Sequence, residues 1–261
     1  VFSSVPAWDA RFSSVIASLQ WYNPGMTLIA DNPAAPHVKR WTKQEYSSLI
    51  ANGFIQGDVT FLYRGELVDK SAEGELIPKL WTKREYMEKV ERGFLSKQRV
   101  FLYRGELIEM PGMGALHWQG IKKLKTWLVK NFEPEFETNI QAPFEAFDET
   151  MPEPDGAVYT IEQEARRPCP DSAVLIIELS DSSVELDREL AFEYAASNVL
   201  EYWMVNLRDR QIEVFRDSVA DLKSITGFRY ASHRVVPESE IISPLCKPEA
   251  KLKFSNLTGA G

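Results

Sequence analysis

The sequence is poor in the residues that build metal and redox sites from sulfur and imidazole. Its 261 residues include two cysteines and three histidines. Cys169 and Cys246 have neither the spacing of a zinc site nor that of a disulfide framework, as expected for a reducing cytoplasm. His37, His117 and His233 are far apart in the chain, which argues against a histidine-based zinc site. No run approaches the roughly 18 apolar residues that a membrane-spanning helix needs. The N-terminal stretch is interrupted by Asp9 and Arg11 and does not read as a signal peptide. Positive charge is also short: 30 Lys and Arg against 38 Asp and Glu give a net charge of −8. A nucleic-acid partner would have to meet a local basic patch or bound cations. There is no Walker A loop, no G-x-G-x-x-G after a strand and no G-x-S-x-G elbow.

What remains is an ordinary globular composition, 44% hydrophobic and 26% charged, with one strong internal signal. "WTKQEYSSLIANGFIQGDVTFLYRGELVD" (41–69) recurs as "WTKREYMEKVERGFLSKQRVFLYRGELIE" (81–109), offset by 40 residues without insertion. Each copy reads as a short helix opened by a Thr-x-x-Glu capping box, a turn at Gly53 or Gly93, and a strand at "FLYRGEL". Two copies are too few for a solenoid, so the repeat reads as a local duplication. The first copy looks like an appended module. The second runs into a segment in which Leu116, Ile121, Leu124 and Leu128 recur at helical spacing. Met26 opens "MTLIADNPAAP" like a natural start. The expected organisation is an N-terminal extension (1–35), a duplicated helix-strand module (36–79), a main domain (80–245) and a loose polar tail (246–261).

Within the main domain, "FETNIQAPFEAF" suggests a strand pair and "GAVYTI" a strand beginning near Ala157. "SAVLIIEL" is a short apolar run suited to the centre of a sheet. A helix follows from about Val184 to Ser197. "EYWMVN" and "QIEVFRD" read as strands joined by "LRDR", and "FRYASHRVV" as the last strand. The result is an α/β fold with a mixed β-sheet flanked by helices.

Two carboxylates stand where this pattern could hold a cation. Asp155 precedes a strand in "PEPDGAV", and Glu178 ends the buried run 173–177. An isolated charge there would be costly, so it must be paired, protonated or metal-bound. If the two strands are neighbours, both carboxylates can converge on one cation, and oxygen ligands favour Mg²⁺ or Mn²⁺. Bland alternatives exist: Asp155 as a turn residue, Glu178 bonded to backbone amides. His117 opens the apolar helix, where a lone histidine is commonly a structural hydrogen-bonder. Lys122, Lys123 and Lys125 give that helix a basic face, either solvated or facing phosphates.

The pattern "FLYRGELIEMPGMGALHWQGI … PEPDGAV … LIIELSDSSVELDRE … YAASNVLEYWMVN" resembles a bacterial restriction-endonuclease-like branch of the PD-(D/E)XK nuclease superfamily, over roughly residues 81–217. The resemblance implies a restriction-endonuclease-like core and a Mg²⁺- or Mn²⁺-dependent endonuclease that hydrolyses DNA phosphodiester bonds. DNA is the partner it implies; a cytoplasmic location is expected from the cysteine usage, and a homodimer is expected. Its motifs put Asp155 and Glu178 on the metal, and Glu106 of "YRGELIEM" and His117 beside them as catalytic residues. Glu66 holds the same place as Glu106 in the first copy, so "RGEL" is not by itself a catalytic signature.

One feature departs from the family pattern. The resemblance expects a lysine on the helix after Glu178, four residues before the tyrosine matched by Tyr194, where this chain has Leu190. Asp187 matches the family aspartate, but Asp187 to Tyr194 spans seven steps where eight are usual. The missing residue falls between Leu190 and Ala191. Two readings stay open: a degenerate site kept as a DNA-binding or interaction module, or an intact site whose lysine the sequence does not record. Arg188 lies three residues early, on another face of the helix.

Overall fold

The computed structural model describes residues 35–166 and 169–259. The expected N-terminal extension lies outside the described residues except for Ala35. In chain order the elements are β1 (His37–Val38), α1 (Lys43–Ala51), β2 (Thr60–Tyr63), β3 (Glu66–Lys70), β4 (Leu76–Pro78), α2 (Lys83–Glu91), β5 (Val100–Tyr103) and β6 (Glu106–Glu109). Then follow α3 (Ala115–Phe132), β7 (Glu137–Asn139), β8 (Gly156–Tyr159), α4 (Ile161–Glu164), β9 (Leu175–Ser180) and α5 (Val184–Ala196). The chain continues through β10 (Glu201–Asn206), β11 (Gln211–Ala220), β12 (Phe228–Pro237), β13 (Ile241–Ile242), β14 (Leu252–Lys253) and α6 (Phe254–Thr258).

The central sheet has the strand order β12-β11-β10-β9-β8-β7. Only β9 and β10 run parallel, and α5 connects them; the other neighbours are antiparallel. This is the mixed sheet expected from the sequence, with the "SAVLIIEL" strand in its interior. Alternation along β9 sends Leu175, Ile177 and Leu179 into a core shared with α3. Ile176 faces the other way, into a core shared with α5 and the β5–β6 hairpin, and Glu178 follows it by the two-residue period. Two glycines let α3 lie close to the sheet. A Cβ on Gly120 would stand 2.3 Å from a Leu179 methyl, and one on Gly156 2.9 Å from a methyl of Leu124.

The two repeat copies fold alike. Thr42 and Thr82 both close capping boxes with Glu45 and Glu85. Both hairpins turn on Arg-Gly with positive φ at each residue, the two-residue turn that matches strand twist. The copies exchange their leading strands. β1, ahead of the first copy, pairs with β6 of the second through Val38↔Ile108. β4, ahead of the second copy, pairs with β3 of the first through Pro78↔Val68. Each pairing becomes the other by a shift of 40 (38 + 40 = 78; 108 − 40 = 68). The relation is that of a two-fold dimer interface within one chain. Trp41 and Trp81 lie 6.3 Å apart and Phe54 and Phe94 5.2 Å apart, ring centre to ring centre. Residues of both copies share one apolar cluster with Met151 and Cys169, so the first copy is not a separate appendage.

Three other expectations change. "FETNIQAPFEAF" gives one short strand, β7, because the chain beyond it bonds to a loop: Gln141 and Phe144 donate to the carbonyls of Pro154 and Pro152. Leu116 is not in the buried helix stripe but is 56% exposed. The polar tail is anchored, because Leu252, Phe254 and Leu257 are buried in the core beside α3.

Leu49 of α1 is fully buried, while Ile50 is largely exposed. Leu49→Ala is expected to lower unfolding stability by about 2–5 kcal/mol, with Ile50→Ala within about 1 kcal/mol. Denaturant unfolding followed by tryptophan fluorescence checks this; an appended module would leave the main transition unmoved.

Candidate active site

β8 and β9 are paired with Gly156 opposite Ile177. One step further on, Asp155, just before β8, faces Glu178, the fourth residue of β9, which runs on past the expected end to Ser180. They are held reciprocally: the Asp155 N–H donates to Glu178 Oε2 at 3.0 Å, and the Leu179 N–H donates to Asp155 Oδ2 at 2.9 Å. Each carboxylate thus accepts from a backbone N–H of the facing segment, the bland role foreseen for Glu178, and still faces a cleft. His117 donates from Nε2 to Asp155 Oδ2 at 2.9 Å, and Gln141 donates to Asp155 Oδ1 at 3.2 Å. Tyr194 donates to Glu178 Oε1 at 2.8 Å.

The cleft, about 200 Å³ in volume, is also lined by Asp187, Glu153, Arg99 and Leu190. One wall, from Gln98 to Phe101, belongs to the second repeat copy. Gln98 donates to Glu45 at 3.2 Å, which ties the first copy to this wall. Among the described residues lining the cleft, Arg99 is the one permanent cation. Arg188 turns away and pairs with Glu213 and Glu185. α5 runs unbroken through Leu190 and Ala191, and Leu190 is buried at the cleft wall.

Four carboxylates therefore share the cleft with little positive charge. Burial pushes Glu178 well above the usual carboxylate range, and the charges of Asp155 and Asp187 add to this. Burial also pushes Asp187 up to about 6, although Ser183 donates to it at 2.6 Å. Glu153 is raised by burial, with Arg99 opposing. Burial pulls the His117 imidazole down, but the hydrogen bond to Asp155 together with the charges of Asp155 and Asp187 outweighs this and holds it above its ordinary value.

Of the expected site residues, the structure brings Asp155, Glu178 and His117 together. It does not bring Glu106, which lies in the hairpin opposite Tyr103, does not line the cleft, and is raised by burial and by Glu66 nearby. The Arg104 of that hairpin reaches α5 instead, donating to the buried Glu193 at 2.7 Å. Sequence reading missed the place of Gln141, Glu153 and Arg99. Glu153, two residues before Asp155, was the most legible of them. Gln141 and Arg99 arrive through tertiary packing and left no local signal.

The donor set suits a hard divalent cation. Asp155 Oδ1 and both Glu178 oxygens accept one hydrogen bond each, leaving lone pairs free. Among the described residues no three His, Cys, Asp or Glu form a ready ligand cluster. A cation held by two carboxylates would complete its shell with water, as Mg²⁺ characteristically does.

A carboxylate with a raised folded-state pKa contributes stability below its unfolded value, and that contribution is lost as pH rises through the folded value. For Asp187 the window runs from 3.8 to about 6. In chelator, the protein is expected to lose stability across that window, and Asp187→Asn to flatten the loss. Thermal melts between pH 4 and 7 check it.

A family described as "Uma2: Putative restriction endonuclease" matches residues 84–253. No curated protein matches the chain. Among solved structures, a "putative nuclease belonging to DUF820" from Anabaena variabilis superposes with a TM-score of 0.53 at 12% identity, covering 68% of this chain and 97% of its own. That likeness supports the fold. The type IIG restriction endonuclease BpuSI matches at 16% identity over 42% of this chain and 12% of its own, and its TM-score of 0.28 carries no argument. With well over half of its length inside the family match, the chain belongs to the Uma2 family of restriction-endonuclease-like proteins.

Proposed function

We propose that the cleft is the active site of a DNA endonuclease that depends on Mg²⁺ or Mn²⁺. The observation that carries this is the facing pair Asp155 and Glu178, two buried carboxylates on neighbouring strands, one just before β8 and one within β9, open to a cleft poor in positive charge. They are the residues that would hold the cation. Bound there, it would supply an activated water and neutralise charge building on the phosphate. Gln141 and His117 fix Asp155 from two sides, and Tyr194 fixes Glu178. Arg99 is the permanent cation placed to meet a phosphate and stabilise the developing negative charge, a task that the resemblance gives to a lysine. His117, tied to Asp155, orients that carboxylate. Glu106, outside the cleft, has no part in the chemistry.

A second reading rests on a specific feature. Where the family pattern expects a lysine, Leu190 lines the cleft. This supports a nuclease fold kept as a DNA-binding or interaction module without turnover.

Plasmid nicking in Mg²⁺ or Mn²⁺ separates the two. The nuclease reading expects metal-dependent cleavage abolished by Asp155→Ala or Glu178→Ala, reduced about 100-fold or more by Arg99→Ala, and kept by Glu106→Ala. Correctly folded protein that binds DNA but cleaves it under no metal condition would establish the second reading instead.

A further inference from the structure

The basic helix α3 carries a surface that the chemistry of the cleft leaves unused. Its 18 residues contain Lys122, Lys123, Lys125 and Lys130 and no acidic residue, in a chain of net charge −8. Among the described residues none of these four lysines makes a salt bridge, whereas Lys39, Lys79, Lys83 and Lys247 all do. Trp118, Lys122, Lys125 and Val129 follow one another at spacings of four, three and four residues, which places them on one face of the helix. Trp118 is 50% exposed and Leu116 beside it 56%. The Lys122 ammonium stands over the Trp118 ring, 4.7 Å from its centre. This face begins next to the cleft, because the residue before Trp118 is His117, which is bonded to Asp155.

We infer that this face binds an unpaired DNA strand and leads it into the cleft, with a base stacked on Trp118 and phosphates on Lys122 and Lys125. This deepens the nuclease reading and rests on it for the location of the reacting phosphate. The occupant follows from three features. Lysines without carboxylate partners in an acidic protein are complementary to a polyanion. An exposed indole offers a stacking platform that only unpaired bases can use, since bases inside a duplex already have both faces covered. Asp155 and Glu178 are recessed, 6% and 8% exposed, so the phosphate must enter a narrow cleft, which a flexible single strand does more readily than a rigid duplex.

The test is fluorescence anisotropy of the full chain with a labelled single-stranded oligonucleotide and with the matched blunt duplex, in chelator so that nothing is cleaved. The single strand is expected to bind at least about tenfold tighter than the duplex. Trp118→Ala should remove about tenfold of that affinity and Trp118→Phe should restore most of it. Lys122→Gln with Lys125→Gln should weaken binding and flatten its salt dependence. Trp118→Ala is a surface change, and circular dichroism checks that it folds. Equal or tighter duplex binding, or single-strand binding unmoved by Trp118→Ala, would overturn the inference. Because the readout is binding, it stands apart from plasmid nicking: strand binding without cleavage would keep this surface and reject the nuclease reading.

Discussion

The site depends on the reciprocal hold between Asp155 and Glu178. The backbone N–H groups of Asp155, at the start of β8, and of Leu179, within β9, are each taken up by the carboxylate of the facing segment. Buried donors of this kind must be satisfied, so the same side chains that face the cleft also complete the backbone bonding where β8 begins beside β9. The geometry of the pair is therefore fixed by the sheet and not by a ligand. The consequence is electrostatic: the sheet holds buried carboxylates near one another and near Asp187, and their repulsion adds to the effect of burial on Glu178.

Everything nearby serves that arrangement. The absence of a side chain at Gly120 and Gly156 lets α3 approach the sheet closely enough for His117 to reach Asp155. Arg104 fastens the second hairpin to α5 through Glu193, and that hairpin supplies the cleft wall with Arg99. The first repeat copy stands behind this wall. It lends β1 to the hairpin of the second copy and receives β4, the second copy's leading strand, at its own, and Gln98 bonds its Glu45. A local duplication has thus become part of the scaffold of the site. The symmetry is broken at the cleft wall: Arg99 has Val59 as its counterpart in the first copy.

Most of the fold was legible where local pattern and tertiary role agree. The run before Glu178, the "PEPDGAV" turn into a strand and the "EYWMVN … QIEVFRD" hairpin all carry the period of their final structure. Glu178 was legible as a carboxylate facing Asp155 because a charge in a buried strand demands a partner. The failures share one cause. The exchange of leading strands, the anchoring of the tail by Leu252, Phe254 and Leu257, and the arrival of Arg99 and Gln141 at the cleft all depend on contacts between distant segments. Glu106, which does not line the cleft, is a different case. It belongs to a motif that occurs twice, and the structure uses that motif in both copies as a hairpin.

The seven-step interval from Asp187 to Tyr194 has a physical meaning once the helix is in place. Tyr194 bonds Glu178, and the Asp187 carbonyl accepts from Tyr202 at 2.9 Å. Both ends of the interval are therefore tied to buried partners. Seven steps close two turns of helix almost fully, so the two residues can share the sheet-facing side with Leu190 between them. An eighth residue would rotate one end by about 100°, and the helix could not keep both ties without readjusting. The short spacing is thus compatible with a well-packed α5. Its electrostatic effect is that α5 brings an apolar side chain, and no ammonium, to a cleft rich in carboxylates. Any countercharge must then come from the hairpin wall through Arg99, from a bound cation, or from protons.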